Sequence, residues 1–110
     1  MRESQTAVLE RGAELHDQLL TEPFETAWAG EARWFVQVLE PDPTAELTIT
    51  PQVSPDGLAW VPHESSPVTV ACTGLITIPL SDFGHWLRLE LRRSGGETPP
   101  LIRVYLALKE

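Results

Sequence analysis

The sequence predicts an all-β protein: a single antiparallel β-sandwich, jelly-roll-like, of about eight strands, with an extended or partly helical N-terminal arm. Three observations predict it. From Arg33 onward apolar residues recur with a period of two, the side-chain period of a strand with one buried and one wet face. Ten prolines and seven glycines in 110 residues cut the chain into short runs, which favours turns over long helices. The composition is 42% hydrophobic and 22% charged, as in soluble globular proteins. A chain of this length buries roughly 65% of its unfolded surface, enough for one core. One open sheet of so many amphipathic strands would leave its apolar face in water, so two sheets packed face to face are expected.

The elements follow in order. Residues 1–30 form an arm and a first strand. Val8, Leu9, Leu15, Leu19 and Leu20 could line one side of a helix, but Gly12 and the alternation of Phe24, Thr26 and Trp28 favour extended chain. Residues 31–110 form the main sandwich. Trp34, Val36 and Val38 alternate with Phe35, Gln37 and Leu39, and Leu47, Ile49 and Val53 with Glu46, Thr48, Thr50 and Gln52. Val68, Val70 and Cys72 lead through the Thr73-Gly74 turn to Ile76, Ile78 and Leu80. Leu87, Leu89 and Leu91 form the next inward row, and Ile102, Val104, Leu106 and Leu108 the last. Turns rich in proline, glycine and aspartate divide these runs at 40–43, 54–57, 62–67, 81–84 and 94–100. With no flexible linker and no internal repeat, the reading is one domain over residues 1–110.

Charge bounds the partners. The net charge is −8, which repels phosphate backbones, so a nucleic-acid partner is not expected. No apolar run approaches the roughly 20 residues of a membrane span, and no membrane partner is expected. The opening MRESQTAVLERGAEL lacks the apolar segment of a signal peptide, so cytoplasmic synthesis is expected, with a virion or particle as a destination. The charge is also graded. Residues 1–50 hold ten acids and three bases (−7), and residues 51–110 six acids and five bases (−1). Five of the eight bases, Arg88, Arg92, Arg93, Arg103 and Lys109, lie in the last 23 positions, and a basic patch there opposite an acidic N-terminal half would favour head-to-tail association.

Ser54-Pro55-Asp56-Gly57-Leu58-Ala59-Trp60 is the most specific local feature. Proline presets the first turn position and glycine supplies the positive φ, giving a tight hairpin between 46–53 and 58–61 with Trp60 pointing into the sandwich. This run resembles the Ser-x-Asp-Gly-x-x-Trp hairpin of discoidin-like, galactose-binding-like jelly-roll domains. Gly84-His85-Trp86-Leu87-Arg88-Leu89 resembles the strand those domains carry downstream, and the match spans residues 46–92. With a single cysteine, the chain lacks the disulfide closure frequent in that family, and the family's sugar- and lipid-binding loops have no counterpart here. The compact form, ending in the strand VYLALK, is more similar to short jelly-roll modules of phage and virus-like particles. That resemblance implies a module that decorates, caps or crosslinks an assembly. Ser54, Asp56, Gly57 and Trp60 are read as a folding device.

No chemical constellation competes with this reading. There is neither a Gly-x-Ser-x-Gly elbow nor a His-Glu-x-x-His pair. Cys72 has the inward parity of its strand and reads as a small buried hydrophobe. His63, Glu64 and His85 lack the spacing of a metal site, and Asp42, Asp56 and Asp82 lie in separate loops. No catalytic residue, cofactor or metal is therefore assigned. The candidate contact residues lie on the outward parity of the last two strands: Trp86, Arg88, Glu90, Arg92, Arg103 and Tyr105. If those strands form a hairpin, Glu90 opposes Arg103 and Arg88 opposes Tyr105, and the row is rich in the residue types of interface hot spots. The expected function is a non-enzymatic structural protein that forms a homo-oligomer or docks on a larger protein assembly. The alternative is a carbohydrate-binding module of the discoidin-like type, with Trp86 as the exposed aromatic.

Overall fold

The computed structural model describes residues 3–110; residues 1 and 2, the start of the expected arm, lie outside the described residues. Ten strands run in chain order: β1 (Ser4–Glu14), β2 (Gln18–Leu20), β3 (Phe24–Glu25), β4 (Glu31–Val38), β5 (Asp42–Ser54), β6 (Val61–Pro62), β7 (Val68–Cys72), β8 (Leu75–Ser81), β9 (Trp86–Ser94) and β10 (Leu101–Lys109). No helix interrupts them among the described residues, so the arm is extended: β1 pairs antiparallel with β10 along most of its length.

Sheet A has the order β1-β10-β4-β8. Sheet B runs β2-β9-β5-β6, with β3 also on β9 and β7 also on β5. Because β2 and β3 share one edge of β9, and β6 and β7 one edge of β5, the ten strands occupy eight positions. First pairs with last (β1 with β10), the next inward with the next (β2 and β3 with β9), then β4 with β8, and β5 with β6 and β7. A chain folded double on itself and wound into two sheets has this nesting, which is the jelly roll.

The inward rows meet between the sheets. Trp34, Val36, Leu47, Ile49, Leu87, Leu89, Leu91, Ile102, Val104, Leu106 and Leu108 are at most 1% exposed, so the period-two pattern reports the core faithfully. Cys72 belongs to that core, and burial pushes its thiol pKa up. Leu15 is fully buried although it lies just beyond β1. Its amide donates to the Pro100 carbonyl at 2.9 Å, which closes one end of the sandwich. Trp34 is also fully buried, but its indole Nε1–H has no hydrogen-bond partner among the described residues.

The β9–β10 hairpin, on which the Glu90–Arg103 and Arg88–Tyr105 pairs depend, does not form. β9 lies in sheet B beside β5, and β10 in sheet A between β1 and β4. Residues 95–100 therefore cross from one sheet to the other. Arg103 stands opposite Gln37 and Tyr105 opposite Phe35, while Arg88 stands opposite Gln52 and Glu90 opposite Thr50. Both inward rows have leucine-rich parity whichever sheet they join, so alternation alone does not distinguish a hairpin from a crossover.

Candidate functional site

The expected contact row is split between the two outer faces of the sandwich. Trp86, Arg88, Glu90 and Arg92 lie on the outside of sheet B, and Arg103 and Tyr105 on the outside of sheet A. They do not form one surface.

On sheet B the residues assemble around the 54–60 loop. The Ser54 hydroxyl accepts the amides of Asp56 (3.2 Å) and Gly57 (2.8 Å) and donates to Asp56 Oδ1 (3.1 Å). Asp56 Oδ1 accepts the amides of Leu58 (2.8 Å) and Ala59 (3.0 Å). These hydrogen bonds favour the charged carboxylate and hold its pKa below the ordinary value, the Ala59 amide contributing most. The side chains thus substitute for strand pairing through Ala59, and β6 starts only at Val61, opposite Val53. The hairpin is present with a longer loop than the turn residues imply.

That longer loop overturns the expected position of Trp60. It lies outside the core, half-buried, with the Arg88 guanidinium 4.4 Å from its ring centroid. Arg88 also donates through Nε to Gln52 Oε1 at 2.5 Å. Gly57 (φ +80°) packs so closely on Trp86 that a Cβ there would lie 3.3 Å from the indole ring. Trp60, Arg88 and Gln52 therefore interlock on the outside of sheet B, with Trp86 on the same outer face under Gly57 and Leu58 and Val61 exposed on either side of Trp60 in sequence. Strand parity places Trp60 inward, but the loop shifts it out of that parity; the signal in the sequence is Asp56, whose carboxylate caps two further amides.

Glu90 and the C-terminal arginines are largely engaged within the molecule. Glu90 accepts Gln18 Nε2 at 2.7 Å and pairs with Arg92 at 3.3 Å. Arg93 donates to the carbonyls of His16 (2.6 Å) and Gly95 (2.9 Å). Arg103 donates to the Arg11 carbonyl at 2.9 Å, fixing β1 against β10. Arg93 and Arg103 thus brace a loop and a strand and Arg92 is paired with Glu90, so three of the five C-terminal bases are engaged within the molecule.

The outer face of sheet A is less polar. Val8, Tyr105, Phe35 and Thr77 stand side by side across its four strands, with Arg33, Arg103 and Lys109 nearby on the same face. Of the residues weighed for chemistry, His63 is 8% exposed and both ring nitrogens are engaged. Nε2 bonds the Ser81 carbonyl at 2.9 Å, so it carries the proton, and Nδ1 accepts the Ser65 amide at 3.1 Å. His63 thus ties the 63–66 loop to β8. Among the described residues no three histidine, cysteine or acidic side chains gather as a metal cluster.

Two comparisons by sequence find no relative: no protein-family model and no curated protein matches the chain. Solved structures share its fold. The PBSX exported protein XepA superposes with a TM-score of 0.71 at 13% identity, over 94% of this chain and 36% of that one. This chain thus spans about a third of XepA's length. The SPBc2 prophage-derived protein YomS superposes with a TM-score of 0.67 at 8% identity, over 100% of this chain and 96% of that one. At such identities the likeness is one of fold: this chain is a jelly-roll β-sandwich similar to both.

Proposed function

We propose that this chain is a non-enzymatic structural protein that self-associates or docks on a larger protein assembly of the phage-particle kind. The observation that carries the reading is the end-to-end likeness to a prophage-derived protein of nearly the same extent. The polar groups support it, since Arg93, Arg103 and His63 hold elements together rather than converge on a cleft. The contacts are assigned to strand edges, the N-terminal strand and the outer faces. The partner is protein rather than nucleic acid or membrane, and the site of action is a particle.

Light scattering and negative-stain microscopy of the purified chain, alone and mixed with particles from the same source, test this. Self-association or particle binding is expected, weakened by Trp86→Ala in a variant whose circular dichroism shows the fold intact. A monodisperse monomer at high concentration that binds no particle refutes the reading.

One observation favours a second reading, carbohydrate binding. With Trp60 outside the core under Arg88 and Trp86 on the outside of the same sheet against Gly57, sheet B offers two outer aromatic side chains rather than one. A tryptophan fluorescence change on a glycan panel, abolished by Trp60→Ala, would support it, and no change across the panel would remove it.

A further inference from the structure

β1 is an edge strand of sheet A, and its two halves differ. The Glu110 amide donates to the Glu3 carbonyl at 2.9 Å, in register with the Ser4–Lys109 pairing. Backbone groups alternate in direction along an antiparallel strand. Glu3, Gln5 and Ala7 therefore face β10, and the N–H and C=O groups of Ser4, Thr6 and Val8 face the open edge. Beyond Val8 the register shifts twice, between Val8 and Glu10 and between Glu10 and Ala13, which spoils the edge for further pairing. Residues 4–8 remain regular, without a charge, a proline or a bulge.

Such an edge is unusual, because exposed edges are ordinarily blunted against pairing. The other edges here show the ordinary devices. In β8 the Val38 amide bonds the Gly74 carbonyl, so Leu75, Thr77, Pro79 and Ser81 face outward. Pro79 has no N–H, and the Ser81 carbonyl is taken by His63 Nε2. β2, β3 and β6 are two or three residues long, and β6 contains Pro62. β7 follows Pro67, and its Ala71 carbonyl is taken by the Thr73 amide at 2.9 Å.

We infer that residues 4–8 of β1 pair antiparallel with the same residues of a second copy, about a two-fold axis through Thr6. This rests on the self-association reading above and names its edge, register and partner. Ser4 faces Val8 of the second copy, Thr6 faces Thr6, and Val8 faces Ser4. Each facing pair can exchange two hydrogen bonds, and sheet A becomes eight strands continuous across two molecules. The two-fold closes the contact, using both edges at once. Charge selects the same place. Two chains of net charge −8 repel one another, and this seam brings no charged side chain of residues 4–8 against its like. Lys109 stands beside Ser4, so a cation borders the seam. Val8, 44% exposed, is covered by the partner strand. A single strand pair buries less than the roughly 1,200–2,000 Å² of a stable interface, so the dimer is a weak, concentration-dependent one.

Sedimentation of the full chain over a range of concentration and salt tests this. Because the seam is uncharged backbone pairing between acidic molecules, dimerisation strengthens as salt screens the repulsion; an ion-paired contact would weaken instead. Thr6→Pro removes an outward N–H without breaking a bond to β10, and Thr6→Lys sets two like charges face to face on the axis. Each is expected to weaken dimerisation by roughly tenfold or more while circular dichroism shows the fold intact. Hydrogen exchange at Thr6 and Val8 should slow with concentration, while Gln5 and Ala7 stay protected throughout. A dimer or larger ring unaffected by both folded variants overturns this edge and leaves self-association standing. A wild-type monomer at every concentration and salt overturns self-association as well and leaves only docking on another assembly.

Discussion

The packing of Gly57 on Trp86 gives a sharp quantitative test of the sheet B outer face. Gly57 and Gly74 have nearly the same backbone, with φ of +80° and +73°, but their surroundings differ. A Cβ at Gly57 would meet the Trp86 ring at 3.3 Å, whereas one at Gly74 would meet nothing within 4 Å. Placing alanine in left-handed backbone costs about 1–2 kcal/mol, offset by about 0.4–1 kcal/mol from a stiffer unfolded chain. Gly74→Ala is therefore expected to cost about 1 kcal/mol. Gly57→Ala carries the same backbone cost plus the displacement of the indole, for a total of about 2 kcal/mol, since packing strain is of the order of 1 kcal/mol. In a domain of this size each kcal/mol lowers Tm by about 4–5 °C. The assay is thermal and denaturant unfolding of both variants, repeated in a Trp86→Ala background. Removing the ring should bring the cost of Gly57→Ala down to that of Gly74→Ala, and only Gly57→Ala should alter the near-UV dichroism of tryptophan. Equal costs for the two glycines in the wild-type background, or a Gly57→Ala cost unchanged without Trp86, would refute the packing.

Three further outcomes are expected. Trp34→Phe should change stability by no more than about 1 kcal/mol, because the lost ring area is offset by removing a buried donor without a partner; Trp34→Ala should cost about 3–5 kcal/mol. Cys72, fully buried with its thiol pKa raised by burial, should resist a thiol reagent in the native protein and react once the chain is unfolded in denaturant. Asp42 and Asp56 both have folded pKa values below the ordinary 3.8, Asp42 chiefly through the Thr44 hydroxyl and Asp56 through the Ala59 amide. A depressed folded pKa gives stability that is complete above the unfolded value and lost as pH falls through the folded one. Unfolding midpoints should therefore decline below about pH 4, and Asp56→Asn should flatten that decline, as followed by thermal unfolding across an acid series.

The discriminating power of the sequence differed between core and surface. Rows such as Leu87–Leu89–Leu91 and Ile102–Val104–Leu106–Leu108 were legible because a strand's side chains alternate whatever it pairs with. The Ser54-Pro55-Asp56-Gly57 turn was legible because its chemistry is local. Trp60 was misplaced by its parity, since the Asp56 carboxylate extends the loop to Ala59 and carries Trp60 onto Arg88. The partners of the arginines were not legible in sequence: Arg93 and Arg103 are bound to the carbonyls of His16 and Arg11, 77 and 92 residues away along the chain.

By itself the sequence determined the class of structure: strands and inward rows follow from alternation, and turns from proline, glycine and aspartate. Only the tertiary structure decided that β9 and β10, adjacent in sequence, belong to opposite sheets, with their outward residues on opposite faces of the molecule. The reason is physical. Alternation is a property of one strand's backbone, whereas the choice of neighbour depends on how every strand's apolar face is covered at once. Here that requirement joined the first strand to the last and left residues 4–8 on an open edge.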